Sequence, residues 1–211
     1  MTSSRFDVER AKELQEVLAS RVDRTYDVVS INSVVGLDVA YVRDVGVAVA
    51  TLLNYPQLQL KEYVVVEGVV EIPYVPGLLA FREAPLMIKA YEKLGHDADV
   101  VVVDGHGITH PRKFGIASHI GLVLDLTSIG VAKNLLYGKV IKYADGVEYI
   151  VVDGEVCGLV YRWLGKDTYV SIGHKISIKS LMKLTPSLYK NHYLPEPTYI
   201  ADTISKKFRR L

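Results

Sequence analysis

The chain has 211 residues, 49% of them hydrophobic and 23% charged, the balance of an ordinary globular protein rather than a disordered or fibrous one. At this length about 70% of the unfolded surface can be buried without staples. The single cysteine, Cys157, excludes an intramolecular disulfide framework and a cysteine-rich zinc site, and it fits a reducing compartment. Lysine and arginine number 25 against 24 acidic residues, a net charge of +1, so any nucleic-acid binding needs local patches rather than a global field. The segment Met1 to Lys12 is polar and carries no signal-peptide pattern, and runs such as Val45 to Leu53 are too short to span a membrane. The expectation is a soluble, cytoplasmic enzyme or binding protein, one domain over residues 1–211.

Phe6 to Val22 places Val8, Ala11, Leu14, Val17 and Leu18 at helical spacing. The period then changes. Ser33–Tyr41 and Gly46–Leu53 read as two strands of a hairpin, and Leu58–Val70, rich in β-branched residues, as a third. Pro73-Tyr74-Val75-Pro76-Gly77 is a stiff, non-helical turn. Leu78–Leu94 follows with helical spacing, interrupted near Pro85. Asp99–Asp104 holds four consecutive valines, a strand buried on both faces. Gly105–Gly115 reads as a long loop, Ser118–Leu126 as a helix and Ile129–Ala132 as a short strand. Two hairpins follow, with Asp153-Gly154 the turn between Tyr149–Val152 and Val156–Arg162. Ile178–Lys190 and Thr198–Phe208 read as closing helices. Hairpins followed by alternating strands and helices predict an α/β protein, a mixed sheet with helices on its faces.

Several residues stand out against this pattern. Asp38 lies inside an apolar strand, with small Gly36 and Ala40 as its same-face neighbours. Either it faces solvent on a half-exposed sheet, or it is buried beside a cation, because a lone buried carboxylate is costly. Asp104 ends a core strand at a glycine-rich loop, where ligands gather in open α/β sheets; an ordinary Asp-Gly turn is the alternative. If the two strands are neighbours, the two carboxylates can share a divalent ion. Gly105-His106-Gly107 lacks the third glycine of a dinucleotide fingerprint. His106 and His110 have zinc-helix spacing, but the surrounding glycines and Pro111 oppose a helix, and oxygen ligands suit magnesium better. His110, beside Pro111-Arg112-Lys113, and Lys133, at a strand end, are candidate phosphate contacts, with solvated side chains as the alternative. Tyr74, between two prolines, is either a ring packed on the protein or a wedge for nucleic acid.

Taken in order, these segments resemble the endonuclease V family. Gly36-Leu37-Asp38-Val39-Ala40-Tyr41 is similar to its first motif, and Pro73-Tyr74-Val75-Pro76-Gly77 through Pro85 to its second. Asp104-Gly105-His106-Gly107 with His110-Pro111-Arg112 and Gly115–Gly121 resembles the third, and Gly130-Val131-Ala132-Lys133 the fourth. Gly173–Ser177 and Leu194–Thr198 resemble its C-terminal segments. The resemblance implies a ribonuclease H-like fold and a magnesium-dependent endonuclease, with manganese able to substitute, acting on DNA that contains deoxyinosine. The cut falls at the second phosphodiester bond 3′ to the lesion and leaves 3′-hydroxyl and 5′-phosphate ends. It further implies Asp38 and Asp104 as metal ligands, Glu83 completing the acidic cluster, and Lys133 on the phosphate near the reacting bond. Tyr74 becomes the wedge, and the backbone around Gly77, Leu79, Gly105 and Ile116 lines the base pocket. The family's fourth ligand is a histidine or aspartate after the Pro-Glu-Pro-Thr segment, and Asp202 occupies that place here; a carboxylate favoured by the helix dipole is the alternative reading. Arg112, Lys113, Lys133, Lys139, Lys175 and Lys179, with the tail Lys206-Lys207-Phe208-Arg209-Arg210, are the basic residues available for a groove. An inosine-specific endoribonuclease and a non-catalytic reader of deaminated strands are the competing functions.

Overall fold

The computed structural model describes residues 6–208, so Arg209 and Arg210 of the basic tail lie outside the described residues. The chain runs α1 (Val8–Ala19), β1 (Ser33–Val42), β2 (Val45–Asn54), β3 (Leu60–Val69), α2 (Leu79–Leu94), β4 (Val100–Asp104), α3 (Ile116–Leu124), β5 (Ser128–Ala132), β6 (Lys139–Lys142), β7 (Glu148–Val152), β8 (Glu155–Trp163), β9 (Lys166–His174), α4 (Ile178–Leu184) and α5 (Glu196–Phe208). All strands join one sheet in the order β3-β2-β1-β4-β5-β9-β8-β7-β6. The central β1, β4 and β5 are parallel to one another and every other pairing is antiparallel. Among the described residues, no helix is long and apolar enough to cross a membrane.

The valine run of β4 shows why its strand sits centrally. Val100 and Val102 join Val34, Ile129 and Leu181 in a core on one face of the sheet. Val101 and Val103 join Leu37, Met87 and Ile120 on the other, beneath α2 and α3. Side chains alternate across a strand, so only a strand covered on both faces can be apolar at every position.

Helix α5 lies across β1 and β2 on the first of these faces, where it meets Gly36. A Cβ at residue 36 would overlap the carbonyl carbon and oxygen of Pro197, and Thr51 Oγ1 donates to that same carbonyl at 3.0 Å. The missing side chain is what allows the helix to approach the strand this closely.

Three expectations need revision. Helix α2 is continuous through Pro85, which lies on its exposed face, where the carbonyl left without an amide partner can reach water. The segment 178–190 is a short α4 followed by a 3-10 turn over Thr185–Leu188, because Pro186 removes the amide that would extend the helix. The buried face of α1 runs through Ala11 and Gln15, whereas Leu14 and Val17 are exposed.

Gly36→Ala is expected to lower the unfolding free energy by about 2–3 kcal/mol, as overpacking a rigid backbone contact does. Urea denaturation of the two proteins checks this, and equal midpoints would mean that α5 can lift off β1 at no cost.

Candidate active site

Strands β1 and β4 pair in parallel with Leu37 opposite Val103. The next residues, Asp38 and Asp104, therefore leave neighbouring strands on the same face, the one that α5 covers. Asp38 is buried, 7% exposed. This resolves the choice left open by its sequence context against a solvent-facing residue. The hydroxyl of Ser205, on α5, donates to Asp38 Oδ2 at 2.7 Å. One turn earlier on the same helix, Asp202 projects toward the pair, and carboxylate oxygens of Asp38, Asp104 and Asp202 all lie within 4.8 Å of one another.

Glu83, from α2, is buried as well but falls outside this grouping. Its carboxyl is pushed up to about 7, first by burial and then by the charges of Asp38 and Asp104. The Tyr41 hydroxyl lies beside it, short of a hydrogen bond, and is buried without a partner. The structure thus gathers Asp202 with the two strand aspartates and leaves Glu83 as a neighbour that feels their field. Asp38 and Asp104 are themselves raised, Asp38 by burial and then by the Asp104 charge, and Asp104 by burial against the opposing pull of Lys133.

Lys133 follows β5, with Nζ 4.0 Å from Asp104 and 3.7 Å from Asp202. Lys206 pairs with Asp202 at 2.6 Å. Carboxylate oxygens that crowd together, buried and only partly neutralised, fit a hard divalent cation. Among the described residues the cluster offers only oxygen: both ring nitrogens of His106 are taken by Thr109 and the Asn134 carbonyl, and those of His110 by the Gly77 carbonyl and the Arg112 amide.

A cavity of about 230 Å³ reaches Gly105, the residue after Asp104. Gly77, Leu79, Gly105 and Ile116, the four residues named for a base pocket, all line it, with Tyr74 at the side. Tyr74 is 67% exposed, so the packed-ring alternative does not hold. The first turns of α2 and α3 both face this cavity, at Leu79 and Ile116. Their leading amides have no partner further back in their own helices.

The rim is over-determined at one atom. Gly77, at φ +78°, offers its carbonyl to three donors: His110 Nε2 at 2.9 Å, Arg112 Nη2 at 2.8 Å and Gln15 Nε2 at 3.1 Å. Gln15 also donates to the Phe114 carbonyl at 3.0 Å and accepts from Arg112 Nε at 2.7 Å. His110 and Arg112 are therefore turned inward to the loop. His110, buried and next to Arg112, is held well below the usual imidazole range, at about 4, and is neutral. It lines the cavity and carries no charge for a phosphate.

The other basic residues do not form one groove. Lys113 pairs with Glu155 at 2.9 Å, Lys175 with Asp125 at 2.7 Å, and Lys179 lines a separate depression with Asp27 and Tyr55. Sequence reasoning did not single out Gln15, Ser205 or Tyr41. Gln15 carries a readable signal, a polar residue on the helical row of Ala11 and Leu18; Ser205 carries none.

The family model for Endonuclease V matches residues 15–203. The chain belongs to the endonuclease V family. An Endonuclease V from Desulfurococcus amylolyticus is 42% identical over 209 residues, covering 95% of both chains. The solved Endonuclease V of Streptomyces avermitilis superposes with a TM-score of 0.86 at 34% identity, over 97% of this chain and 93% of that one. The Endonuclease V of Ciona intestinalis, solved with a 24mer DNA containing an inosine followed by a ribo-adenosine, does so at 0.83 and 25%, over 96% and 98%. Membership makes this chain a nuclease, and its mixed sheet flanked by helices is the ribonuclease H-like fold.

Raised carboxyls leave a signature in stability. Glu83 keeps its proton to about pH 7 when folded but sheds it near 4.5 when unfolded. The folded state therefore binds more protons between these values. Its stability is full below pH 4.5 and falls as pH rises to 7, by about 3 kcal/mol for this one group. In chelator, Glu83→Gln is expected to flatten the fall in melting temperature between pH 5 and pH 8. Parallel profiles for the two proteins would show that Glu83 is not raised.

Proposed function

We propose that the chain, acting as a single domain, is a magnesium-dependent endonuclease for inosine-containing DNA. In this reading it hydrolyses the second phosphodiester bond 3′ to the lesion, leaves 3′-hydroxyl and 5′-phosphate ends, and so opens the damaged strand for repair. The observation that carries the reading is adjacency. The base-sized cavity and the carboxylate cluster share the segment Asp104-Gly105, one residue serving each.

Asp38, Asp104 and Asp202 would hold the magnesium, with manganese able to take the same oxygen ligands. When bound, that ion supplies Lewis-acid stabilisation of charge developing at the phosphate. The chain's own groups account for the rest. Ser205 fixes the Asp38 carboxylate through Oδ2. In this reading the Lys133 ammonium, beside Asp104 and Asp202, pairs with a phosphate oxygen near the reacting bond. Glu83, whose carboxyl burial raises in the metal-free protein, would serve as a proton-exchanging group at the edge of the cluster.

Selectivity follows from the amides of α2 and α3. Hypoxanthine offers a carbonyl oxygen where adenine offers an amino group, so amides at Leu79 and Ile116 donate to the first and repel the second. Tyr74, stiffened by Pro73 and Pro76, fills the stack that the extruded base leaves. Extrusion is itself easier for a poorly paired base, which adds to the discrimination. The Ciona relative was solved with a strand carrying a ribo-adenosine after its inosine, which keeps an inosine-directed endoribonuclease as the second reading.

Asp38→Ala and Asp104→Ala are expected to reduce cleavage at least 100-fold, with binding of an inosine strand retained. A cleavage gel run beside fluorescence anisotropy, on DNA and RNA strands with one inosine, measures both, maps the cut and separates the two substrates. Cleavage above a tenth of the parent rate in either variant would remove that residue from the ligand set.

Tyr74→Ala is expected to weaken binding of inosine strands by about 1–3 kcal/mol with cation dependence unchanged. The check is the ratio of inosine to adenosine affinity. An unaltered ratio would leave Tyr74 as an exposed ring without a wedge role.

A further inference from the structure

Lys206 is not among the residues implied by the family motifs, yet it makes the shortest charge contact in the site. Its Nζ lies 2.6 Å from Asp202 Oδ2, while Lys133 approaches the other oxygen of the same carboxylate at 3.7 Å. Asp104 feels both ammoniums. Two cations therefore already sit against the three carboxyls that would receive a metal ion. A helical i,i+4 pair explains the contact between Lys206 and Asp202 but not its place. Asp202 is largely buried within the cluster, whereas the lysine remains 57% exposed on a long, rotatable stem.

From this arrangement we infer that Lys206 is a counterion that changes partners. This rests on the proposed nuclease reading. With no divalent ion bound, its ammonium neutralises Asp202. When the ion arrives, the carboxylate's charge is met by it, and Lys206 turns outward to a phosphate oxygen of the bound strand. The open depression formed by Asp202, Thr203, Lys206 and Lys207 gives that strand access. Cation and strand binding become coupled, because occupation by the first releases a phosphate contact for the second, and linkage requires the effect to be reciprocal.

The exchange makes a prediction of two opposite signs for Lys206→Gln. Without a strand, manganese, followed by the electron paramagnetic resonance signal of the free ion, should bind several-fold more tightly, since no ammonium competes for Asp202. With saturating calcium in place of magnesium, oligonucleotide affinity by anisotropy should fall several-fold, and its salt dependence should lose about 0.7 of a unit in slope, one phosphate contact on a single strand. Lys206→Arg should stay near the parent in both measurements. Lys207→Gln, an equal loss of charge one residue on, should leave manganese affinity unchanged. Unaltered strand affinity, or manganese affinity that is unaltered or weakened, would reduce Lys206 to a helix-stabilising pair and overturn the inference. Because a phosphate contact ignores the base, the loss should be equal on strands with and without inosine. A parent protein that failed to prefer inosine would overturn the functional reading while leaving the Lys206 result standing.

Discussion

Carboxylates repel, and burial makes the repulsion worse, so a fold that crowds three of them must hold them there by other means. Here the means are geometric. Parallel pairing of β1 and β4 sets Asp38 and Asp104 side by side on one face. A glycine at position 36 lets Pro197 settle against β1, which brings Ser205 and Asp202 down upon them. Neither strand aspartate can withdraw, because each is fixed within a central strand covered by core on both sides. The energetic penalty persists in the absence of a cation and is relieved by one. The three carboxylates that could hold a divalent ion are thus positioned by the sheet and α5, not by a loop.

The recognition side is held by a different device. The cavity rim depends on a backbone carbonyl, that of Gly77, engaged by three side chains from two distant segments. A glycine in the left-handed region can turn its carbonyl inward at little cost. Gln15, His110 and Arg112 then lock the turn that carries Pro73 to Pro76. The residues with the most polar character near the cavity are consequently spent on its framework. Leu79, Ala80, Ile116, Leu135 and Leu136 give the cavity its apolar lining.

Much of this was legible in the sequence, for identifiable reasons. The β4 valine run, the hairpin turn at Asp153-Gly154 and the stiff Pro73–Gly77 segment each carry a local signal, and the structure matches them. The motifs named Asp38, Asp104 and Asp202, which converge, and four cavity residues, which share one wall. What escaped depends on distance along the chain. Ser205 reaches Asp38 across 167 positions, and Gln15 reaches Phe114 across 99. No pattern within a helix announces such a partner. His110 and Arg112 read as phosphate contacts because their residue types suit anions. Only the fold reveals that His110 Nε2 and Arg112 Nη2 turn to the Gly77 carbonyl and Arg112 Nε to Gln15. Helix α1 was read from its leucines and valines, whereas burial follows Gln15, whose polar head is satisfied by two carbonyls.

The order of the elements has a consequence for biosynthesis. Asp38 and Asp104 belong to strands that can pair once residue 104 has emerged from the ribosome, and the sheet is complete by residue 174. The third carboxylate arrives only with α5, after every strand has been made. A nascent chain that has yet to expose α5, or one released early by a premature stop, thus holds the pair of aspartates without Asp202 and Ser205. The carboxylate cluster is completed last, by the helix that closes over it, and incomplete copies of the protein lack its third member.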